Sequence, residues 1–324
     1  MFRSEKEIRM NVYFGPMEGV TTVQFRRVHA VMFPGADRYY MPFISPTADH
    51  RFTARELREI TPENNLPARA VPQILSKSAE DFLWCAAGLA DMGYNEVNLN
   101  IGCPSATVTA KGKGSALLRA WDSLERLLDG IFAETKTAVS VKTRIGWADP
   151  SEAERLFELF RRYPIAELIL HCRTAREMYS GTPHTEAFVL AKETLSCPLC
   201  YNGDLFTAED VSAFEKDWPG TGAVMLCRGA ARDPALFRRI RGGGAASREE
   251  LRAFHDTLYE DYRSAYGRLN GMRRMKELWG YLLHCFENTD DVRKTMMRTK
   301  DTDVFDECVE RVFTHCPLAD GKPL

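Results

Sequence analysis

The amino-acid sequence predicts a (β/α)8 TIM barrel followed by a small all-helical C-terminal domain. Three observations predict it: eight short apolar runs occur in order, helix-like segments lie between most of them, and no convincing strand follows Ile240. Strands that alternate with helices indicate a parallel sheet, and eight such units favour a closed barrel over an open doubly wound sheet. The first strand is followed by no G-x-G-x-x-G motif, which weakens the dinucleotide-binding, open-sheet interpretation.

The eight predicted strands are short, apolar and rich in residues that favour extended structure. They are Asn11–Met17, Asp37–Phe43, Arg69–Leu75, Glu96–Ile101, Val139–Ile145, Glu167–Cys172, Pro198–Asn202 and Ala223–Cys227. Helices are predicted to begin after Ser78, Ser151 and Thr207, because each hydroxyl residue is followed three positions later by an acidic residue. Only the pair of Ser151 and Glu154 has the strict form of a capping box.

The alternation of strands and helices ends at Arg241–Gly244, where three consecutive glycines break the pattern. The segments beyond these glycines have helical character. They are Arg248–Tyr266, Met272–Glu287, Thr289–Lys300 and Val304–Phe313. We therefore predict a barrel domain over residues 1–241 and a helical domain over residues 245–324.

The composition is that of an ordinary globular protein. The 324 residues are 44% hydrophobic and 27% charged, and the net charge is −2. A nucleic-acid site must therefore come from a local cluster of basic residues rather than from overall charge. The charged N-terminal segment and the lack of a long apolar run predict neither a secretory signal nor a membrane span, so we expect a cytoplasmic protein.

The nine cysteines are expected to be free thiols in a reducing cytosol, because they are scattered through apolar, strand-like segments. Cys197 and Cys200 form a C-x-x-C pair, but a zinc site usually needs a second pair at similar spacing, and the sequence has none. We therefore predict no metal site.

Polar and reactive residues cluster at the C-terminal ends of the predicted strands. In a barrel this end carries the active site. The residues at these positions are Gly15, Pro16, Met17, Gln73, Asn98, Asn100, Cys103, Lys142, Arg144, His171, Arg173, Asn202, Gly203, Asp204, Cys227, Arg228 and Gly229. Any one of them could be ordinary, but together they predict a site at this end of the barrel.

The loops after strands seven and eight have the features of a phosphate site. Asn202-Gly203-Asp204 and Arg228-Gly229-Ala230 supply small residues for close approach of the backbone, and Arg228 supplies positive charge. Phosphate commonly binds at these two loops of a barrel, on backbone N–H groups and a helix N-terminus. Two ordinary tight turns are the alternative, since Asn-Gly is a common turn signal.

Three side chains are candidates for the chemistry. Lys142 lies in a strand, where an interior lysine is costly unless it is paired; a reduced flavin would be a partner, and a surface lysine is the alternative. Cys103 stands in a rigid Gly-Cys-Pro turn, although a free cysteine is usually a small buried hydrophobe. His171 is either a structural histidine or a site residue. Arg173, two residues further on, should project from the same side of an extended segment.

The sequence resembles the tRNA-dihydrouridine synthase family in a series of motifs that occur in the family's order. The motifs are Gly15-Pro-Met-Glu-Gly-Val20, Asn98-Leu-Asn-Ile-Gly-Cys-Pro-Ser105, Lys113-Gly-Ser-Ala-Leu-Leu118, Val141-Lys-Thr-Arg-Ile-Gly146, His171-Cys-Arg-Thr174, Tyr179-Ser-Gly181, Asn202-Gly-Asp204 and Arg228-Gly-Ala230. The resemblance is strong over about residues 10–240, and the helical tail agrees in kind.

The resemblance implies an FMN-binding barrel and a helical tRNA-binding domain. FMN reduced by NADPH or NADH would deliver hydride to C6 of a flipped uridine, and Cys103 would donate a proton to C5. By motif, the FMN-binding residues would be Gly15, Pro16, Met17, Gln73, Lys142, His171, Asn202, Gly203, Asp204, Cys227, Arg228 and Gly229. The substrate-binding residues would be Asn100, Arg144 and Arg173.

Two residues depart from the family's motifs. The family usually has Gly-Arg-Gly at the end of strand eight, and here Cys227 replaces the first glycine. The family often begins its first motif with alanine, and here Gly15 stands in that place. If a phosphate approaches the backbone at strand eight, the side chain of Cys227 must point away from it.

Two other functions stay open at this stage. One is an FMN-dependent barrel oxidoreductase that acts on a free pyrimidine; the other is a non-catalytic RNA-binding or RNA-folding protein. Basic residues in the tail, among them Arg273 and Arg274, favour contact with RNA, and an ordinary solvated helix face is the alternative. Tyr262 and Tyr266 would either add contacts beside these arginines or belong to the core.

Overall fold

A computed structural model describes residues 9–319, so the outer ends of the two predicted domains, residues 1–8 and 320–324, lie outside the described residues. The strands are β1 (Asn11–Phe14), β2 (Arg38–Tyr40), β3 (Ala70–Val71), β4 (Gln73–Ile74), β5 (Glu96–Ile101), β6 (Ala138–Arg144), β7 (Leu168–His171), β8 (Leu199–Asn202) and β9 (Ala223–Leu226). All eight predicted strands are confirmed, and the third is divided into β3 and β4.

The strands form one parallel sheet that closes on itself. Its order is β3-β2-β1-β9-β8-β7-β6-β5-β4, and β3 and β4 are consecutive in the chain. Pro72 separates them because it has no N–H to donate to the ladder, while its carbonyl still accepts from Asn98 N at 2.9 Å. The first and last strands of the sheet are thus two halves of one strand, which confirms the predicted barrel.

Helices follow the strands around the barrel. They are α1 (Val23–Met32), α2 (Ala54–Ile60), α3 (Pro62–Asn65), α4 (Ala79–Asp91), α5 (Ala106–Thr109), α6 (Trp121–Glu134), α7 (Glu152–Phe160), α8 (Thr185–Thr194), α9 (Ala208–Asp217), α10 (Arg228–Arg232) and α11 (Leu236–Ile240). The predicted caps at Ser78 and Thr207 are confirmed, since each hydroxyl accepts from the N–H three residues on.

The capping box predicted at Ser151 is wrong. Ser151 has helical backbone angles and its side chain caps nothing; it donates to Asp149 Oδ1 instead. The carboxylate of Glu152 turns back and accepts from the backbone N–H groups of Trp147, Ala148 and Asp149. The side chain of Glu152 therefore satisfies the turn before α7, and Glu154 has no part in a box.

Up to residue 319, the last one described, the tail contains four α-helices, as predicted. They are α12 (Arg248–Tyr266), α13 (Arg268–Leu282), α14 (Asp290–Arg298) and α15 (Thr302–His315). α13 begins four residues before the predicted start because Gly267, at φ +78°, ends α12 and begins α13 without a loop. No helix among residues 9–319 has the length and apolar character needed to cross a membrane.

The tail packs on the first helix of the barrel. The rings of Phe254 in α12 and Phe25 in α1 meet edge to face with centroids 5.8 Å apart. The hydroxyl of Tyr262 hydrogen-bonds to Thr22 Oγ1 at 2.7 Å, and Tyr262 is fully buried. Tyr262 is therefore a core residue that joins the tail to the barrel, not a surface contact.

The bottom of the barrel is filled by a polar network. Glu167 accepts from the hydroxyls of Tyr13 and Tyr40 at 3.0 and 3.2 Å, and Arg38 lies 3.7 Å from its carboxylate. Burial raises the pKa of Glu167 above its usual value, while Arg38 opposes this shift. These side chains fill the interior of the barrel at its N-terminal end.

Candidate active site

A cavity of about 590 Å³ opens at the C-terminal ends of the strands. This volume is within the usual range for small-molecule and cofactor sites. The sequence-predicted residues that line it are Pro16, Met17, Gln73, Asn100, Cys103, Lys142, Arg144, His171, Asn202, Gly203, Asp204, Cys227, Arg228 and Gly229. Of the residues that the family motifs assign to flavin or substrate, only Gly15 and Arg173 do not line it; Asn98, which was predicted at a strand end, does not line it either.

Cys103 stands in a turn that is held from both sides. The side-chain Oδ1 of Asn100 accepts from the N–H groups of Gly102 and Cys103 at 3.1 and 3.0 Å. Arg144 Nε donates to the Gly102 carbonyl at 3.0 Å, and Ser115 N donates to the Cys103 carbonyl at 3.0 Å. Both the backbone N–H groups and the carbonyls of Gly102 and Cys103 are therefore hydrogen-bonded, and Asn100 contributes to holding the turn in place.

A chain of side-chain hydrogen bonds continues from Asn100 over the neighbouring strands β4, β5 and β6. Asn100 Nδ2 donates to Gln73 Oε1 at 2.7 Å, and Gln73 Nε2 donates to Asn98 Oδ1 at 2.8 Å. Asn98 Nδ2 in turn donates to Ser140 Oγ at 2.9 Å. Each bond fixes the orientation of the next amide, and the amide nitrogens of Gln73 and Asn100 each keep a second hydrogen that a ligand can accept.

Arg144 connects the cysteine turn to the segment after β7. Besides the Gly102 carbonyl, its guanidinium donates to the carbonyls of Thr174 and Met178 at 2.8 and 2.7 Å. It also lies 5.4 Å from the ring centre of Tyr179. Arg144 is almost completely buried, so much of its donor capacity is used to hold two loops at the cavity wall.

Lys142 is a cation without a carboxylate partner. Its Nζ donates to Asn202 Oδ1 at 2.9 Å, and no carboxylate in the described part of the chain lies within 4.0 Å of it. Burial lowers the pKa of this amine below its ordinary value. A charged group that is withdrawn from water and faces a cavity in this way favours a ligand with acceptor or anionic character.

The protonation states of Cys103 and His171 follow from their surroundings. Burial raises the pKa of the Cys103 thiol, and the neighbouring Lys142 and Arg144 oppose this rise only in part. Burial and four nearby cations hold the pKa of His171 well below its usual range. At neutral pH the site thus holds a protonated thiol and an uncharged imidazole.

The two loops predicted to bind phosphate lie side by side at the cavity. Among residues 9–319, the N–H groups of Gly203, Asp204, Arg228 and Gly229 donate no hydrogen bond. A Cβ on Gly229 would lie 2.7 Å from the Leu205 carbonyl, so only glycine fits between these loops. Free N–H groups beside an arginine form a suitable environment for an anion.

The two predicted residues outside the cavity lie directly behind its wall. A Cβ added to Gly15 would be 2.3 Å from Cys227 Sγ, so the cysteine side chain fills the space next to this glycine. Arg173 is fully buried and pairs with Asp204. The chain bends past the end of β7, where Arg173 N donates to the His171 carbonyl at 2.7 Å, so the two-residue period of a strand no longer applies.

Several aromatic residues of the cavity were not among the predicted site residues. Phe43 follows β2, and its place at the end of the predicted second strand is a signal that could have identified it. Tyr179 stands in a recognised motif, and Arg228 and Arg144 lie over its ring. Tyr281 comes from α13, and nothing in its local sequence indicates that it reaches the barrel.

A second, open cavity of about 680 Å³ lies beside the first and shares Tyr281 with it. Four arginine or lysine residues and one acidic residue, Glu277, line it, and we call it the basic groove; the four are Arg232, Arg273, Lys276 and Arg293. Within residues 9–319, none of the four has a carboxylate within 4.0 Å. Lys276 also donates to the carbonyls of Met297 and Thr299. Elsewhere in the tail, Arg268 pairs with Asp303 and Asp306, and Arg274 lies 4.0 Å from the ring centre of Tyr266.

Comparison with known proteins adds a family to this geometry. The family described as "Dihydrouridine synthase (Dus)" matches residues 13–316. The chain is 28% identical to a probable tRNA-dihydrouridine synthase of Rhodobacter capsulatus over 302 residues, which cover 90% of each chain. It is 27% identical to tRNA-dihydrouridine synthase B of Vibrio parahaemolyticus, with 89% of this chain and 91% of that one covered.

Solved structures that share the architecture are more distant. Morphinone reductase matches with a TM-score of 0.53 at 13% identity, over 73% of this chain and 87% of that chain. Histamine dehydrogenase from Rhizobium sp. matches with a TM-score of 0.54 at 11% identity, over 82% of this chain and 49% of that chain. At these identities the matches establish the barrel fold alone.

Proposed function

Because this chain belongs to the dihydrouridine synthase family, we propose that it reduces the C5=C6 bond of uridines in tRNA to dihydrouridine. The observation that carries the proposal is that one cavity combines a fixed, protonated thiol, Cys103, with a buried cation, Lys142, and two loops of free N–H groups. A thiol of this kind is an acid catalyst, and the cation and loops suit an anionic cofactor.

The residues present fit FMN. The phosphate would be held by Arg228 and the free N–H groups of the two loops, and Lys142 and Gln73 would contact the ring. No carboxylate of residues 9–319 lies within 4.0 Å of Lys142, which supports this assignment, because an amine withdrawn from water gains most from a partner that becomes negative on reduction. When bound, FMN reduced by NADPH or NADH would supply the hydride that C6 of the uridine accepts.

Cys103 would donate the proton that C5 accepts. Its thiol is in the acid form at neutral pH because burial raises its pKa, and the turn around it leaves little freedom to move away from a bound base. The thiolate left after donation would be stabilised by the positive charges of Lys142 and Arg144. The same two cations would therefore favour the proton transfer without ionising the resting thiol.

The substrate would be a flipped nucleotide of a folded RNA. A stacked uracil cannot enter a cavity inside the mouth of a barrel, so the base has to leave its stack. The basic groove would contact phosphates next to the flipped nucleotide, and Tyr281 lies at the passage between groove and cavity. On this proposal, residues 1–241 are the FMN-binding domain and residues 245–324 the tRNA-binding domain.

The test is the product. Purified protein with FMN and NADPH is expected to convert unmodified tRNA transcript to dihydrouridine, and mass spectrometry mapped by position on tRNA from cells with and without the protein is expected to locate the site. Turnover of free uracil or orotate without tRNA would instead favour a small-pyrimidine oxidoreductase. A protein that is colourless and takes up no flavin would favour a non-catalytic RNA-binding role.

A further inference from the structure

Three charged side chains form one cluster behind the loops that follow β7, β8 and β9. Asp204 is the centre: Arg173 donates to both of its carboxylate oxygens, and Arg228 Nη2 donates to Oδ1 at 2.7 Å. Asp204 holds its place with a backbone φ of +37°, which non-glycine residues rarely adopt. One carboxylate is thus shared by two arginines.

The two arginines differ in exposure and in their other partners. Arg173 is 0% exposed and also donates to the carbonyls of Ser180 and Gly181. Arg228 is 29% exposed, and its guanidinium lies 4.8 Å from the ring centre of Tyr179 and faces the cavity. Arg173 is therefore an internal cation outside the cavity lining, whereas Arg228 is exposed to the cavity.

Asp204 presents a difficulty for an anion site. Its side chain is 28% exposed and lines the same cavity as the free N–H groups of the two loops. A carboxylate at this place would repel a phosphate unless a cation neutralised it. Arg228 alone would leave the pair without net charge. The buried Arg173 adds the missing positive charge, so the cluster has a net charge of +1.

We propose that Arg173 is a positioning residue for phosphate binding: it neutralises Asp204, so that Asp204 orients Arg228 toward the phosphate without repelling it. The proposal rests on the proposed function, because it takes the FMN phosphate as the anion. Arg173 then acts through Asp204 and not by contact with flavin or uracil. This role differs from the substrate contact that the family motif suggested for it.

The test compares two ligands that differ only in the phosphate. The affinities of FMN and riboflavin are measured by flavin fluorescence. The dissociation constant of riboflavin divided by that of FMN isolates the phosphate contribution. Arg173→Gln is expected to lower this ratio by about tenfold or more, since the Asp204 carboxylate beside the phosphate is then balanced by Arg228 alone and the cluster loses its net positive charge. Adding Asp204→Asn removes that carboxylate and is expected to restore at least about threefold of the loss.

A purely structural role gives a different pattern. Equal weakening of both flavins by Arg173→Gln, or a double variant that binds FMN no better than the single one, would overturn the proposal. Arg173→Lys keeps the charge without the paired geometry; it is expected to hold the ratio within about threefold of the original, and this variant decides the question if Arg173→Gln does not fold. Should the unaltered protein bind neither flavin, the proposed function itself is wrong.

Discussion

Gly15 and Cys227, the two departures from the family's motifs, are expected to compensate each other. Where the family has alanine and glycine, this chain has glycine and cysteine, and a Cβ on Gly15 would lie 2.3 Å from Cys227 Sγ. That separation is far inside van der Waals contact, so Gly15→Ala forces the thiol or the backbone to move. Overpacking of this kind costs about 1–3 kcal/mol of the free energy of unfolding.

The reverse change has a cost of its own, and the combination tests the idea. Cys227→Gly removes a small, partly buried group and adds backbone freedom, so it is expected to cost about 1–2 kcal/mol. With both changes the new methyl group enters the space that the thiol has left. The double variant is therefore expected to be at least about 1 kcal/mol more stable than the sum of the single effects predicts.

The assay is denaturant unfolding of the four proteins, followed by tryptophan fluorescence. Gly280→Ala is the matched control: it lies inside α13 with no atom within 4 Å of an added Cβ, so it is expected to stabilise by about 0.5–1 kcal/mol. Met225 also lies 2.9 Å from the new methyl group, but its side chain is flexible and can shift. The compensation would be refuted if the two substitutions had additive effects on the free energy of unfolding, or if Gly15→Ala left that free energy unchanged.

The other predictions concern the proposed chemistry. Cys103→Ala is expected to keep flavin binding and reduction by NADPH but to lose about 10²–10⁴-fold in dihydrouridine formation from tRNA. In the unaltered protein the single-turnover rate is expected to be level at neutral pH and to fall only above the ordinary thiol pKa of about 8.5, because burial raises the pKa of the Cys103 donor. Lys142→Ala is expected to weaken FMN affinity by about tenfold or more, or to slow flavin reduction, since a charge-assisted hydrogen bond is lost. Replacing both Arg273 and Arg293 with alanine is expected to weaken tRNA binding and to flatten the slope of log affinity against log salt by about 1.8, or 0.9 for each lost phosphate contact.

Each of these has a result that would contradict it. Near-normal product from the Cys103 variant would mean that another group or water donates the proton. A single-turnover rate that already decreases below neutral pH as the pH is raised would mean that the donor is not this thiol. Unchanged flavin affinity and reduction would remove Lys142 from the flavin site. For the groove, the control is alanine at Lys136 and Lys216, which are exposed and lie at or near the loops that lead into β6 and β9, at the opposite end of the barrel. A salt slope that changes equally in both pairs would show that only overall charge matters.

The barrel and most of the cavity could be predicted because geometry limits the possibilities. Parallel strands bring their C-terminal ends to one edge, so residues as far apart in sequence as Gln73 and Arg228 had to meet once the strands were placed. The start of α7 directly after Ser151 is confirmed, but the contacts that satisfy its first turn could not be predicted from the capping pattern. The turn before it offered Glu152 three N–H groups to accept from, and this satisfied the backbone better than a box at Ser151.

The sequence could not show which hydrogen-bond partner each polar residue of the site has. The motifs suggested substrate contacts for Asn100, Arg144 and Arg173, and in the structure all three have hydrogen bonds within the protein. Asn100 and Arg144 hold the turn of Cys103 from its N–H and carbonyl sides, and Arg173 holds Asp204. The alternation of side chains along a strand determines where a side chain at the strand end lies. Its hydrogen-bond partners come from loops, whose conformations follow no regular repeat.

The hydrogen bonds that hold the Cys103 turn have a consequence for the thiol. A lone acid catalyst on a loop would be ordered only by its ligand, but Cys103 is fixed beforehand by Asn100, Arg144 and Ser115. The entropy of placing the donor is therefore lost on folding and not at each turnover. Asn100→Ala is then expected to slow the protonation step while leaving FMN affinity nearly unchanged, because it frees the N–H groups of Gly102 and Cys103 without removing the thiol. Weakened FMN binding with an unaltered single-turnover rate would instead place Asn100 against the flavin and refute its role in holding the turn.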